Sequence, residues 1–183
     1  MAQLFEHAQM ADQVIIVHKD GLTGKTKTYD SSKKSLKLKA KAFFKLLTTG
    51  KGLYNSMTNA GFAVTSGLLY GTGTAFTAVA IGTGTTAASA SNTALITETK
   101  RKAGTTSQVT TTVVNDTAQW DATFSNATDG LSGSAAITEV GIFNNNASGG
   151  TLLLRQVFAP INVNWSNGDT LQMIVKCQSK QGA

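Results

Sequence analysis

Few residues in this chain are of a type and spacing to do chemistry. The first candidate is Gly21-Leu22-Thr23-Gly24-Lys25-Thr26, which ends in the Gly-Lys-Thr of a phosphate-binding loop. Such a loop needs four residues between its glycines, so that backbone N–H groups curl around the phosphates, and a helix N-terminus behind it. Here two residues intervene and no apolar helix follows, so the stretch predicts a hairpin turn. Gly71-x-Gly73 and Gly82-x-Gly84 lack the third glycine of a dinucleotide site and predict turns that end strands sharply. The only histidines, His7 and His18, do not stand at ligand spacing from Cys, Asp or Glu, so neither a metal nor another cofactor is expected. No Gly-x-Ser-x-Gly elbow occurs, although a Ser-His-acid triad assembled in space stays open at this level. Glu139 interrupts an apolar run. Its expected place is on a wetter strand face, or paired with a cation such as Arg155 on the next strand.

The charge is concentrated at one end. The net charge is +6, and residues 1–51 hold ten lysines against Glu6, Asp12, Asp20 and Asp30. Lys33, Lys34, Lys37, Lys39, Lys41 and Lys45 are the candidate partner-docking residues. Such a run can meet nucleic-acid phosphates. However, Phe43 and Phe44 fall on the presumed core side rather than on a stacking platform. Docking onto an acidic protein partner is therefore the preferred reading, and nucleic acid the weaker one.

The elements that must carry these residues read as strands. Hydrophobic residues make up 41% of the chain, and there are 27 threonines, 18 glycines and one proline. Short β-branched runs split by Gly, Ser and Asn predict an all-β fold, mainly an antiparallel β-sandwich. One short amphipathic helix is expected near residues 39–49, in the N-terminal third, with Phe43, Phe44, Leu46 and Leu47 on one side. The chain divides into a basic N-terminal segment, 1–52, and a Thr/Gly-rich sandwich domain, 53–183. Residues 1–13 read as a short helix or a docking arm, Val14–His18 and Lys25–Tyr29 as a hairpin, and Ser35–Lys39 as a strand. Residues 53–75 give no clear pattern. A strand is expected over Phe76–Ile81, then one helical turn capped by Ser91 or Asn92. Gln108–Val114 and Ala118–Phe124 read as a hairpin about Asn115-Asp116. Ile137–Cys177 reads as a closing three-stranded antiparallel meander whose last hairpin turns at Asn167-Gly168. Gly141, inside the Val140/Ile142 run, marks a bulge or a close backbone approach. Asn144, Asn145 and Asn146 form a candidate contact loop, with residues 126–134 a second. The single cysteine, Cys177, is expected buried. The N-terminal residues lack a signal-peptide pattern and no run is long enough to span a bilayer, so folding in a cytoplasm, with no membrane partner, is expected.

Two stretches carry a resemblance. The first is Val79-Ala80-Ile81-Gly82-Thr83-Gly84-Thr85-Thr86, followed by a small-residue loop to Asn92-Thr93-Ala94-Leu95. The second comprises Ile137-Thr138-Glu139-Val140-Gly141-Ile142-Phe143-Asn144, Gly149 to Arg155 and Gly168 to Leu171. Over about residues 76–178 the chain resembles small structural proteins of tailed bacteriophages of the tail-fibre or tail-collar-like type. The resemblance implies a non-catalytic virion component, made in the host cytoplasm, present in several copies as a homo-oligomer and bound to other virion proteins. A capsid decoration (cement) protein of the head shell is the alternative. A carbohydrate-binding module, with Trp120, Trp165 and Tyr70 as its aromatic candidates, is a further one. The basic N-terminal third departs from the pattern.

Overall fold

The structure, a computed structural model, describes residues 9–31 and 56–180. Two five-stranded antiparallel sheets face each other. The first has the order β2 (Thr26–Asp30), β1 (Gln9–Lys19), β10 (Thr170–Lys180), β7 (Thr117–Ser125), β6 (Thr105–Val109). The second has the order β3 (Ser56–Met57), β9 (Leu152–Asn164), β8 (Ser134–Phe143), β4 (Ala78–Gly82), β5 (Glu98–Ala103). This is the all-β sandwich expected from composition. β1 and β2, read from the N-terminal segment as a hairpin, are strands of the first sheet, and β1 pairs with β10 along its whole length. The expected helix near 39–49, the strand Ser35–Lys39 and all six candidate docking lysines lie outside the described residues. No described helix is long and apolar enough to cross a membrane.

The two sheets bury their faces differently, and the sequence shows why. In the first sheet, Val14 and Ile16 on β1, Trp120, Ala122 and Phe124 on β7, and Leu171, Met173 and Val175 on β10 point inward at every second position. Their alternation marks a sheet with one wet face. They meet Val79 and Ile81 of β4, Val140 and Ile142 of β8, and Leu154, Phe158, Ile161 and Val163 of β9 in a single core. β4 and the second half of β8 are instead buried at every position. Their outer face carries Ala78, Ala80 and Phe143, which with Leu152 of β9 and Leu95 form a second apolar cluster. Leu95 comes from the 83–97 loop, which crosses the outside of this sheet as a third layer.

Several elements depart from expectation. The Ile137–Cys177 stretch is not a meander. β8 and β9 pair, but the Trp165–Asn167 3-10 turn carries the chain across the core, and β10 joins the opposite sheet. Gly168, at φ +82°, ends that turn, so Asn167-Gly168 serves an arch between sheets rather than a hairpin. Trp165 is 1% exposed and plugs the arch. Residues 9–13 belong to β1 rather than to an arm. β6 spans Thr105–Val109, and residues 110–116 form its turn, because Asp116 accepts hydrogen bonds from the N–H groups of Thr111, Thr112 and Val113. No helical turn follows Ser91; the Asn92 side chain instead accepts from the Ser89 N–H. Pro160, exposed, falls where the β8–β9 register shifts between Ile137 and Glu139, a place where its missing N–H costs nothing.

The unassigned 53–75 stretch contains helix α1 (Asn59–Leu69), with Thr58 as its N-cap accepting from the Gly61 N–H at 2.9 Å. The Thr58 hydroxyl also donates to the Leu152 carbonyl, which ties the helix to β9. The helix turns its glycines inward. A Cβ on Gly61 would stand 2.5 Å from the Leu153 carbonyl oxygen, so only glycine lets the helix approach β9 this closely. Phe62 and Leu69 face outward.

Candidate functional site

Glu139 is fully buried on the outer side of β8, not on a wet face, and it is the point to which the third layer is fastened. Its Oε1 accepts the backbone N–H groups of Gly84 (2.9 Å) and Thr97 (2.8 Å). Its Oε2 accepts the N–H of Ile96 (3.2 Å) and the Arg155 Nε (2.7 Å). The Arg155 pairing is the one expected from sequence. Burial alone would raise the Glu139 pKa, but the Thr97 N–H, the Arg155 guanidinium and the N–H groups of Ile96 and Gly84 outweigh it and hold the carboxyl below its ordinary range. Arg155 also reaches the Asn92 side chain (3.3 Å), and the Thr138 hydroxyl donates to the Gly84 carbonyl (2.9 Å).

This geometry explains the Gly82-x-Gly84 spacing. A Cβ on Gly82 would lie 2.6 Å from the Glu139 Oε1, and one on Gly84 2.5 Å from it. Neither glycine needs a positive φ. They are glycines because the Glu139 carboxylate, together with the Thr97 carbonyl beside Gly82 and the Ile96 side chain beside Gly84, occupies the space a side chain would take. With both oxygens of Glu139 committed to backbone and Arg155, the group serves as a structural anion.

The asparagine loop after β8 is held from below. The Asn144 side chain accepts from the Thr151 N–H (2.6 Å), and that of Asn145 from the Ala147 N–H (2.9 Å). Arg101 Nη1 donates to the carbonyls of Gly149 (2.6 Å) and Asn145 (3.3 Å), while its guanidinium pairs with Glu98 and stacks 3.4 Å from the centre of the Phe143 ring. Asn145 and Asn146 are exposed at the tip and Asn144 is half-buried. The basic run Lys100-Arg101-Lys102 is thus largely committed to the fold, since Lys102 pairs with Asp129 at 2.8 Å. Asp129 ends α2 (Asn126–Asp129), the short helical turn that opens the second candidate contact loop, 126–134.

One cluster was not legible in the sequence. His18 Nε2 lies 2.9 Å from Asp169 Oδ2, and both residues are buried. Asp169 also accepts the N–H groups of Gly21 and Asn164. Burial opposes its ionisation, but these two N–H groups and His18 prevail and lower its pKa. The pair lines a groove of about 480 Å³ that Ser134 also lines. No hydrogen bond joins Ser134 to His18, so the nucleophile–base contact of a triad is not made here. Gly21–Lys25 lies in the turn between β1 and β2, and Thr26 starts β2; the turn is closed by the Asp20 side chain accepting from the N–H groups of Leu22 and Thr23. Among the described residues no group of three His, Cys, Asp or Glu stands close enough to hold a metal ion.

The chain matches no protein-family model, no curated protein and no solved structure.

Proposed function

We propose that the chain is a non-catalytic structural component of a bacteriophage virion, a tail-fibre or collar-type subunit that is made in the host cytoplasm and assembles with copies of itself and with other virion proteins. One observation carries the reading. The two stretches on which the resemblance rests, 79–95 and 137–144, meet physically: Glu139 of the second fastens the loop of the first, and Gly82 and Gly84 make room for its carboxylate. The pattern behind the resemblance is therefore one interlocked unit rather than scattered turn residues. The asparagine loop, pinned by Arg101 and exposed at its tip, is suited to contact with a neighbour.

A sugar-binding role has less support. Trp120 and Trp165 are in the core, and Trp120 donates its indole N–H to the Phe76 carbonyl at 2.8 Å, so of the three aromatic candidates Tyr70 alone is exposed. The decisive experiment is fractionation of purified particles into heads and tails, followed by detection of the chain. Recovery in the tail fraction at several copies per particle is the expected result. Recovery on the head shell would favour the decoration-protein alternative, and absence from particles would overturn the virion reading.

A further inference from the structure

The groove at the His18–Asp169 end of the sandwich, about 480 Å³, is lined from both sheets. β1 brings His18, and β2 brings Lys27, its cross-strand partner. β9 brings Asn162 and Asn164, and β8 brings Ala136 and Ser134 opposite them. Asp20 lines it from the turn after β1. The room exists because β8 opens on Ser134-Ala135-Ala136, three small side chains, before its isoleucines and valine begin.

Its floor is fixed and its walls are unspent. Asp169 gives both oxygens to the fold: Oδ1 accepts the Gly21 N–H at 2.8 Å, and Oδ2 faces the Asn164 N–H and His18 Nε2, each at 2.9 Å. A carboxylate held in this way takes the Nε2–H, so a neutral imidazole keeps its lone pair on Nδ1. A side chain as buried as His18, 8% exposed, ordinarily spends both nitrogens. His18 spends one, and Nδ1 has no partner among the described residues. The same holds for Asp20 Oδ2, since all three hydrogen bonds to that carboxylate fall on Oδ1. Among the described residues the Lys27 ammonium, the Ser134 hydroxyl and the side-chain amides of Asn162 and Asn164 also make no hydrogen bond or ion pair.

We propose that this groove binds a neutral polyhydroxyl ligand, a sugar, through hydrogen bonds alone. The lining selects that class. Asp169 is already committed, which leaves the Asp20 carboxylate against the Lys27 ammonium, so an ion of either sign meets a like charge. A hydroxyl meets none. It donates to His18 Nδ1 or to Asp20, accepts from Lys27, and does either with Ser134, Asn162 and Asn164. Several hydroxyls on one rigid ring satisfy several of these groups at once, with little ordering cost. Trp120, Trp165 and Tyr70 do not line the groove, so this is not the surface that a stacking module would use. The site stands apart from the virion reading and does not depend on it.

The test is nitrogen–proton correlation NMR on the full chain, titrated with glucose, galactose, mannose and N-acetylglucosamine, and separately with inorganic phosphate. The expected result is a saturable shift with at least one sugar, confined to the amides of Gly21, Ser134 to Ala136 and Asn162 to Asn164, and no response to phosphate. Asn162→Ala and Ser134→Ala, both at exposed positions, should each weaken binding about three- to tenfold, the worth of one hydrogen bond, with the melting temperature retained. If one of them does not fold, the other decides. The absence of a saturable shift with all four sugars overturns the proposal. So do shifts centred on Tyr70, binding that the folded variants leave unweakened, or phosphate moving the groove amides as a sugar does.

Discussion

Glu139 shows how much one carboxylate can organise. Glu139→Ala leaves Arg155 buried without its counter-ion and frees three backbone N–H groups in the 83–97 loop. The expected loss is about 3–5 kcal/mol, read from urea or thermal unfolding. The pH dependence has a definite sign. The folded pKa lies below the ordinary value of 4.5, so this contribution is fully present above 4.5 and is lost as pH falls through the lowered folded value. Glu139→Gln should therefore show a shallower acid-side decline than the parent protein; equal slopes would mean that the carboxylate is not what holds the loop. The pairing with Arg155 was legible because an acid inside an apolar strand needs a cation, and Arg155 stands on the neighbouring strand. The three N–H donors were not legible, since backbone groups leave no mark in a sequence. The His18–Asp169 pair was equally hidden: its partners come from opposite ends of the chain, and only the β1–β10 pairing brings them together.

At the scale of elements, Gly141 sits where β8 is covered on its outer side. A Cβ there would lie 2.8 Å from the Leu95 Cδ2 and 2.9 Å from the Leu152 Cδ1. Gly141→Val should cost about 1–3 kcal/mol or more through overpacking, seen as a lowered melting temperature. Unchanged stability would mean that Leu95 does not press on β8 as described. Strand positions were readable from β-branched alternation, and this succeeded best in the first sheet, where one face is wet. Connections were less readable. Asn167-Gly168 favours a sharp reversal, but it does not say whether the next strand returns to the same sheet, and Trp165, by filling the space between the layers, accompanies a crossing. Helix α1 escaped notice because its inward face is glycine and its outward face apolar, the reverse of the pattern by which surface helices are recognised.

For the molecule as a whole, the charge division remains the clearest feature. The strands of the sandwich leave the excess of positive charge to residues 1–51. On the proposed virion role, replacing Lys33, Lys34, Lys37, Lys39, Lys41 and Lys45 with glutamine should reduce incorporation into particles and its sensitivity to salt while leaving the melting temperature of the sandwich near that of the parent. Undiminished incorporation would remove the docking role of these lysines. The fold class was visible from composition alone, because a chain this rich in threonine and glycine and this poor in proline has few alternatives to a sheet. The partition of strands between sheets was not, because it depends on pairings far apart in sequence. The pairing of β1 with β10 has a consequence for the order of events on the ribosome. Lys19 must wait for Thr170 and Gln9 for Lys180, an interval of about 10–30 seconds at ordinary elongation rates. Until then Val14 and Ile16 have only the short β2 hairpin beside them. The nascent chain thus carries a bare, sticky strand through that whole interval, until the segment that closes it has been made.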